Sequence, residues 1–410
     1  RHQSVAAIPE NSGMYLDNTP PSPHRRLRIG IVTETYPPEI NGVALTIARW
    51  VEGLRRRGHV VQLVRVRQGN GDAPEPVDSL ETLCLPGFRI PGYPQLQGGW
   101  PAFSPLLESW GRTRPDLVHI VTEGPLGYAA LRAARRLAIP ISTSFHTNFH
   151  GYSRHYHLGW LAAPIMAYLR HFHNQGVQTL VPTGELAEQL QSIGFLRTQV
   201  LARGVDTHLF SPRRRDSVLR RQWGAAPEAP AVLHVGRLAA EKNLELAIDA
   251  FQAIRRVQPA ARLVLVGDGP LAPRLRARHP DLVYCGMRQG EDLAAHYASA
   301  DLFLFPSLTE TFGNVVLEAM ASGLAVAAFD YAAGRAHVEP GHSGLLAPFG
   351  DAGAFVDAAT ALARDFGTIQ LMGQAARQAM LRLDSERVYD RLETLFLNAI
   401  MGETSCTTAC

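Results

Sequence analysis

The sequence has few cysteines and no long apolar run, and each absence excludes a class of protein. Four cysteines occur in 410 residues, and no Cys or His pair with zinc-site spacing accompanies the tail cysteines, Cys406 and Cys410. No stretch reaches the roughly 18 unbroken apolar residues that a membrane span requires. The first residues, 1–24, lack the apolar core of a secretory signal. We therefore predict a cytoplasmic protein with reduced, inert thiols.

The charge is also close to balanced, with a formal net charge of +3. The arginines are nevertheless concentrated in two stretches, made up of Arg55, Arg56, Arg57, Arg65 and Arg67, and of Arg213, Arg214, Arg215, Arg220 and Arg221. Solvated helix faces are the simpler interpretation. The alternative is a surface for anionic lipid headgroups, which would bring the protein to the inner face of a membrane. Aromatic residues are not interleaved with these clusters, so nucleic acid is not an expected partner.

The chain length predicts two or three domains, and the residue pattern divides the chain into two similar halves. From Leu27, short β-branched runs alternate with helical patterns, and the alternation restarts after the polar segment 211–228. Such alternation is typical of α/β folds with doubly wound parallel sheets. The predicted divisions are a disordered tail (1–26, with Met14 as an alternative initiator), a first Rossmann-like domain (27–205), a second (206–383), a helix that could cross back to the first domain (384–400) and a tail (401–410).

The richest segment for chemistry is 306–323, where a strand end is followed by a polar loop and a helix. Free backbone amides at a helix N-terminus attract phosphate, and here they belong to Gly313, Asn314 and Val315. Glu310 lies in the loop, and Glu318 lies about one and a half turns into the helix. The two carboxylates therefore bracket an anion site. Alternatively, Glu310 caps the helix and Glu318 forms a surface ion pair.

A second cluster, 234–243, again ends a strand and opens a helix. Arg237 and Lys242 place two cations where a diphosphate needs its charge neutralised, and Gly236 lets the backbone approach closely. Next, Gly267-Asp268-Gly269-Pro270 follows a strand but lacks the third glycine of a dinucleotide fingerprint, so it predicts only a tight turn. The sequence also has no Asp-x-Asp, so no divalent metal and no other cofactor is expected.

The first half contributes two candidate positions. Gly42 opens a helix and could approach the same diphosphate from the opposite domain, although a purely structural glycine is an equal alternative. His146 directly follows a strand, which would place it at the cleft between the domains. Further histidines follow it (His150, His155 and His157), but no Glu or Cys is arrayed with them, so a metal site is disfavoured. A binding groove lined by these histidines with Tyr152, Tyr156 and Trp160 is preferred, because such side chains suit contacts with sugars or lipid headgroups.

Taken in order, these motifs resemble family four of the retaining glycosyltransferases from Leu27 to about Leu397. The matching parts are Asn-Gly-Val at 41–43, His-Thr at 146–147, Gly-Val-Asp at 204–206, the cationic cluster at 234–243, Gly-Asp-Gly-Pro, and the two glutamates. One departure is Arg203, where the family often has Asn. Within the family, the stretch 33–43 is similar to bacterial α-mannosyltransferases and to sulfoquinovosyl- or glucosyl-glycolipid synthases.

The resemblance implies a GT-B fold, in which two Rossmann-like domains face a central cleft, and it implies roles for the motif residues. Arg237 and Lys242 would hold the donor diphosphate, and Gly42 would offer its backbone to the phosphate. Glu318 would bind the ribose and Glu310 the donor sugar, while His146 would contact the sugar near the reacting carbon. The implied donor is a nucleotide diphosphate sugar, with GDP-mannose expected first and a UDP-sugar such as UDP-glucose second.

The implied activity is transfer of a hexose, with retained configuration, to a lipid or saccharide acceptor, as in glycolipid or polysaccharide biosynthesis. Three rivals stay open on the sequence alone. A nucleotide-sugar epimerase would need no acceptor, and a sugar phosphorylase would need phosphate or a pyridoxal-type lysine. A catalytically silent nucleotide-sugar-binding protein would have no need of Glu310.

Overall fold

The computed structural model describes residues 25–39, 41–68, 72, 77–90, 93–146, 159–309 and 313–407. The two halves predicted from the sequence each contain a parallel sheet. Each sheet together with its helices is here called a lobe, the first lobe for the first half of the chain and the second lobe for the second half. The predicted tail before Arg25 and the residue Cys410 lie outside the described residues.

The first lobe is built on a seven-stranded sheet in the order β3-β2-β1-β6-β7-β8-β9, and its strand pairings are parallel. The central strand β1 is apolar because helices cover both faces of the sheet. The strands of this sheet are β1 (Arg28–Thr33), β2 (Val60–Val66), β3 (Leu80–Leu85), β6 (Leu117–Ile120), β7 (Ile141–Ser144), β8 (Gln178–Val181) and β9 (Thr198–Val200). The strands β4 (Gly87–Ile90) and β5 (Tyr93–Gly99) form a separate antiparallel pair. The helices are α1 (Gly42–Arg56), α2 (Phe103–Arg112), α3 (Pro125–Arg136), α4 (Gly159–His173) and α5 (Gly184–Ser192).

The second lobe is built on a six-stranded parallel sheet in the order β12-β11-β10-β13-β14-β15. Its strands are β10 (Ala231–Val235), β11 (Arg262–Val266), β12 (Val283–Gly286), β13 (Leu302–Phe305), β14 (Ala325–Phe329) and β15 (Gly344–Ala347). Its helices are α6 (Ser217–Gln222), α7 (Leu244–Val257), α8 (Ala272–Arg278), α9 (Gly290–Ser299), α10 (Asn314–Ala321), α11 (Ala332–His337), α12 (Ala352–Ala363) and α13 (Phe366–Leu381). The strand order reverses between β10 and β13, and ligands of open α/β sheets bind at such a switch point.

The last helix, α14 (Ser385–Thr407), leaves the second lobe and packs against the first. Leu392 and Phe396 are fully buried in the same apolar cluster as Trp50 of α1. The helix runs on to Thr407, so the predicted end at residue 400 is too early. The extra turns contain no proline that would end a helix. Of the helices within the described residues, none is long and apolar enough to cross a membrane.

Some arginines of the two arginine-rich stretches are held in ion pairs within the fold, whereas Arg67, Arg213 and Arg221 are exposed. Arg57 at the end of α1 is paired with acidic side chains of α14, namely Glu386, Asp390 and Glu393. Arg220 is 5% exposed and is paired with the buried Asp301 at 2.8 Å. The interpretation as solvated helix faces is therefore wrong for Arg220. The sequence pattern could not reveal this, because Asp301 lies far along the chain on another element.

Candidate active site

The cationic cluster stands on a turn at the carboxyl end of β10 that packs against the next turn of the same sheet edge. The Leu238 amide donates to the Asp268 carbonyl at 2.9 Å, and the Leu271 amide donates to the Leu238 carbonyl at 2.9 Å. A Cβ at Gly267 would lie 1.9 Å from the Gly236 carbonyl oxygen, and one at Gly269 would lie 2.5 Å from that of Leu238. Gly-Asp-Gly-Pro is therefore the support on which the cationic turn rests, as its interpretation as a tight turn predicts.

Arg237 and Lys242 both follow β10 within a few residues. The Arg237 side chain is 64% exposed, and its guanidinium lies 3.8 Å from the Glu241 carboxylate. Lys242 ends a short 3₁₀ turn, Ala240–Lys242, and is partly buried. Burial, together with the positive charge of Lys242, lowers the pKa of the neighbouring His234 to about 4, and the hydrogen bond with the Leu304 carbonyl opposes this shift. The strand end thus carries two cations beside a neutral histidine.

The loop that carries the first glutamate lies against this cluster. β13 is the sheet neighbour of β10, and the Leu308 amide donates to the Glu241 carbonyl at 3.3 Å. Glu310 itself lies outside the described residues. Gly313 has a φ of +92°, a left-handed conformation that favours glycine, and it caps α10 without a side chain. Asn314 and Val315 begin α10, so their amides belong to its first turn, where anions bind well.

Glu318 is buried in α10, with 7% of the residue exposed. Its carboxylate lies 3.2 Å from the Arg49 guanidinium of the first lobe, and it accepts a hydrogen bond of 3.2 Å from the Tyr297 hydroxyl. Burial raises the pKa of Glu318, and Arg49 and Tyr297 oppose that rise. The alternative of a surface ion pair for Glu318 is therefore wrong, because its carboxylate is buried and the pair joins the two lobes.

On the first lobe, Gly42 is the first residue of α1. The side chain of Asn41 caps this helix, and its Oδ1 accepts from the amides of Val43 at 3.0 Å and Ala44 at 2.8 Å. The buried Arg203 guanidinium donates to the Gly42 carbonyl at 3.4 Å. The departure from the family pattern at Arg203 therefore has a structural consequence, since this arginine fastens the start of α1.

His146 lies just beyond β7 and is partly buried. Its Nε2 is 2.8 Å from the Ser144 hydroxyl, and its ring centroid is 6.3 Å from that of Trp50. Burial, together with the positive charge of Arg203, holds the pKa of His146 well below its usual range. His146 is therefore neutral at physiological pH, which suits contact with sugar hydroxyls better than it suits charge neutralisation.

Comparisons with known proteins agree with this geometry. Residues 40–209 match the family described as Glycosyltransferase Family 4, and residues 229–365 match Glycosyl transferases group 1. A GDP-mannose-dependent alpha-mannosyltransferase of Mycobacterium tuberculosis is 37% identical over 328 residues, covering 79% of this chain and 85% of that protein. Sulfoquinovosyl transferase SQD2 of Arabidopsis thaliana is 32% identical over 376 residues, covering 89% of this chain and 72% of that protein. The chain belongs to glycosyltransferase family 4.

Solved structures confirm the GT-B arrangement of this family 4 glycosyltransferase. Sucrose-phosphate synthase from Thermosynechococcus elongatus superposes with a TM-score of 0.73 at 19% identity, over 92% of this chain and 100% of that one. Anabaena HepE in complex with UDP superposes with a TM-score of 0.71 at 19% identity, over 90% of this chain and 99% of that one. The prediction of two Rossmann-like domains facing a cleft is therefore confirmed.

Sequence reasoning about this glycosyltransferase missed three buried or half-buried charged groups near the cleft. Arg49 lies seven positions after Gly42, on the same face of α1, and that helical spacing was the available signal. Glu34 follows β1 and accepts from the amides of Gly99 at 3.3 Å and Leu126 at 3.0 Å. Burial raises the pKa of Glu34 to about 7. The sequence marks Arg203 only as a departure from the family pattern.

Part of the predicted acceptor side of the family 4 enzyme lies outside the described residues. This applies to His150, Tyr152, His155, Tyr156 and His157, and Trp160 falls within α4. Among the residues that the structure describes, His, Cys, Asp and Glu side chains form no group of three or more that could hold a metal ion. A small cavity between the lobes is lined by Thr46, Arg49, Trp50, Arg203, Gly204, Asn314, Ser385, Val388 and Tyr389.

Proposed function

We propose that this family 4 glycosyltransferase transfers mannose from GDP-mannose, with retained configuration, to a lipid or saccharide acceptor. The observation that carries the proposal is the convergence of the cationic turn, the α10 N-terminus and Glu318 at the switch point between β10 and β13. Relatives from Mycobacterium tuberculosis, Mycolicibacterium smegmatis and Corynebacterium glutamicum, 34–37% identical, are named GDP-mannose-dependent alpha-mannosyltransferases. This supports the choice of donor.

The proposed donor pose follows from charge. The diphosphate would lie between Arg237, Lys242 and the first turn of α10, because cations and uncapped amides favour a dianion there. Glu318 would accept hydrogen bonds from the ribose hydroxyls. Glu310 would accept from the sugar hydroxyls, and the neutral His146 would contact the sugar near its reacting carbon.

The reaction would then be a substitution on one face of the sugar. The bond from the anomeric carbon to the phosphate oxygen breaks, and a bond to the acceptor oxygen forms. The acceptor proton passes to the leaving phosphate, and the preorganised cations and amides stabilise the negative charge that develops there. No protein nucleophile is required. Isolation of a glycosyl adduct on Glu310 would contradict this route and would favour a double displacement.

The proposal includes a lipid as one class of acceptor and, with it, a contact between the protein and a membrane. One relative, 27% identical, is an alpha-monoglucosyldiacylglycerol synthase of Streptococcus pneumoniae, and its name describes a lipid product. A lipid acceptor would bring the first lobe to the membrane as a peripheral contact. Co-sedimentation with phosphatidylglycerol vesicles, compared with phosphatidylcholine vesicles, tests this contact independently of the chemistry.

A donor panel tests the proposed function. The purified protein is incubated with GDP-mannose, UDP-glucose or no donor, with and without a bacterial lipid extract, and release of nucleoside diphosphate is followed. We expect release from GDP-mannose that the extract stimulates and that Glu310→Gln abolishes. Glu291→Gln is the matched control, because that side chain is 79% exposed on the same lobe.

Consumption of UDP-glucose instead would move the assignment to the second candidate donor, which the glucolipid synthases among the relatives favour. A donor converted to a different nucleotide sugar without acceptor would indicate an epimerase. If no donor is consumed and none raises the melting temperature, the proposed function is wrong.

A further inference from the structure

The carboxylate of Glu318 is shared between the two lobes. One oxygen, Oε1, lies 3.2 Å from Nη2 of Arg49, which belongs to α1 of the first lobe. The other oxygen, Oε2, accepts from the hydroxyl of the fully buried Tyr297, which belongs to α9 of the second lobe. The exposed fractions of the paired side chains are 36% for Arg49 and 9% for Glu318. The contact is therefore an ion pair between a buried carboxylate and a partly exposed arginine, and it bridges the lobes.

The position of Arg49 on α1 follows from helix geometry. Gly42, Thr46 and Arg49 are spaced by four and three residues, so they share one face of the helix. Thr46 and Arg49 both line the small cavity between the lobes, where they meet Asn314 at the start of α10. The same helix face that carries Gly42 at the cleft thus also presents a cation to the second lobe.

The chemistry of a buried carboxylate explains what this cation can do. A carboxylate taken out of water is strongly destabilised unless a cation or several donors compensate it. An ionised carboxylate has only acceptors and can receive two neighbouring hydroxyls, whereas a protonated one has lost part of that capacity. Arg49 supplies the compensating charge, and Tyr297 fixes the second oxygen.

We propose that Arg49 is a positioning residue that holds Glu318 ionised and oriented for the donor ribose, so that the first lobe completes the nucleotide site of the second. The inference rests on the proposed function, because it requires Glu318 to bind a nucleoside diphosphate. It predicts the direction in which nucleotide affinity changes when Arg49 is removed. If Arg49 supports Glu318, its removal weakens nucleotide binding. If Arg49 instead competes with the ribose for the carboxylate, its removal strengthens binding.

The test is calorimetric titration of GDP into the full-length protein at pH 8 and pH 6. We expect Arg49→Met to weaken GDP binding by about tenfold at pH 8, because it removes a charged partner from a buried carboxylate. The loss should be larger at pH 6. The described side chains that face the Glu318 carboxylate are Arg49 and Tyr297, so without Arg49 the carboxylate protonates more readily. Arg49→Lys should restore part of the affinity.

The matched control is Arg56→Met on the same helix, where the arginine is 57% exposed and its partner Glu386 is 48% exposed. Its GDP affinity should stay within about twofold of the wild type, because exposed ion pairs contribute little. Arg49→Gln, which keeps the donors and removes the charge, serves if Arg49→Met does not fold. Steady-state kinetics should show a raised KM for the donor and a smaller change in kcat.

Two results would overturn the inference while leaving the proposed function intact. The first is GDP binding by folded Arg49→Met and Arg49→Gln that equals that of the wild type, and the second is tighter binding by these variants. A wild-type protein that binds neither GDP nor UDP would instead overturn the proposed function, and the inference would fall with it.

Discussion

In the second lobe the site residues stand on turns that pack backbone against backbone, whereas in the first lobe buried polar side chains hold them. Gly267 and Gly269 let the turns after β10 and β11 touch directly. Asn41 caps α1 through its side chain, and the hydroxyl of Ser144 lies within hydrogen-bonding distance of His146. The second lobe should therefore be sensitive to the addition of a single methyl group, and the first lobe to the loss of a single polar group.

The largest expected effect is that of Gly267→Ala in the second lobe. The new Cβ would lie 1.9 Å from the Gly236 carbonyl oxygen, and the residue has a φ of +132°. We expect the free energy of unfolding to fall by about 3 kcal/mol or more, measured by urea denaturation. Gly111→Ala in α2 is the control, because its Cβ would have no heavy atom within 4 Å. An unchanged unfolding midpoint for Gly267→Ala would refute the backbone-packing explanation.

Removal of the two cations comes next. Lys242→Met and Arg237→Met should each lower kcat by about 10²- to 10³-fold, because in the proposed donor pose each removes a preorganised charge from beside the leaving phosphate. The free energy of unfolding of Arg237→Met should change little, since this side chain is 64% exposed. Arg274→Met, with a side chain 69% exposed on the same lobe, is the control for kcat. Near-normal turnover by both cluster variants would place the diphosphate elsewhere.

The free energy of unfolding should depend on pH through a buried polar side chain of the first lobe. Burial lowers the pKa of His119 to about 3, and its ring nitrogens lie 3.1 Å and 3.2 Å from the hydroxyls of Ser142 and Ser144. The unfolded chain binds the proton from about pH 6.5 downwards. The contribution of His119 to stability is therefore complete above pH 6.5 and is lost progressively as the pH falls towards 3.

In urea denaturation between pH 6 and 4, His119→Asn should remove up to about 1.4 kcal/mol per pH unit from the slope of the unfolding free energy. His208→Gln, at an exposed position, should leave the slope unchanged. Equal slopes for the wild type and His119→Asn would show that this histidine does not titrate between the two states.

The smallest expected effect concerns two helix caps in the first lobe. Asn41→Ala and Thr183→Ala each remove a side-chain cap, of α1 and α5 respectively, and each should cost about 1 kcal/mol of stability. Only Asn41→Ala should also lower kcat/KM, because α1 carries Gly42 and Arg49 to the cleft. An equal loss of kcat/KM in both variants would contradict the claim that the start of α1 positions residues of the active site.

The same contrast explains how much could be predicted from the sequence. The strand and helix pattern and the glycine turns are local signals. The two sheets and the positions of Arg237, Lys242 and Gly313 could therefore be predicted from the sequence. Glu34 and Arg49 acquire their roles from residues distant in the chain, such as Leu126 and Glu318. A sequence pattern does not show such partners. The antiparallel pair of β4 and β5 was missed because Gly87, Pro94, Gly98 and Gly99 interrupt the residue pattern of a strand.

The most direct test of the account is the anomeric configuration of the transferred sugar. GDP-mannose labelled with ¹³C at the anomeric carbon is incubated with the purified protein and the acceptor fraction that stimulates GDP release, and the product is examined by NMR. We expect an α-mannoside, since the sugar would leave and be attacked on the same face. A β-mannoside, or free mannose as the only product, would contradict it.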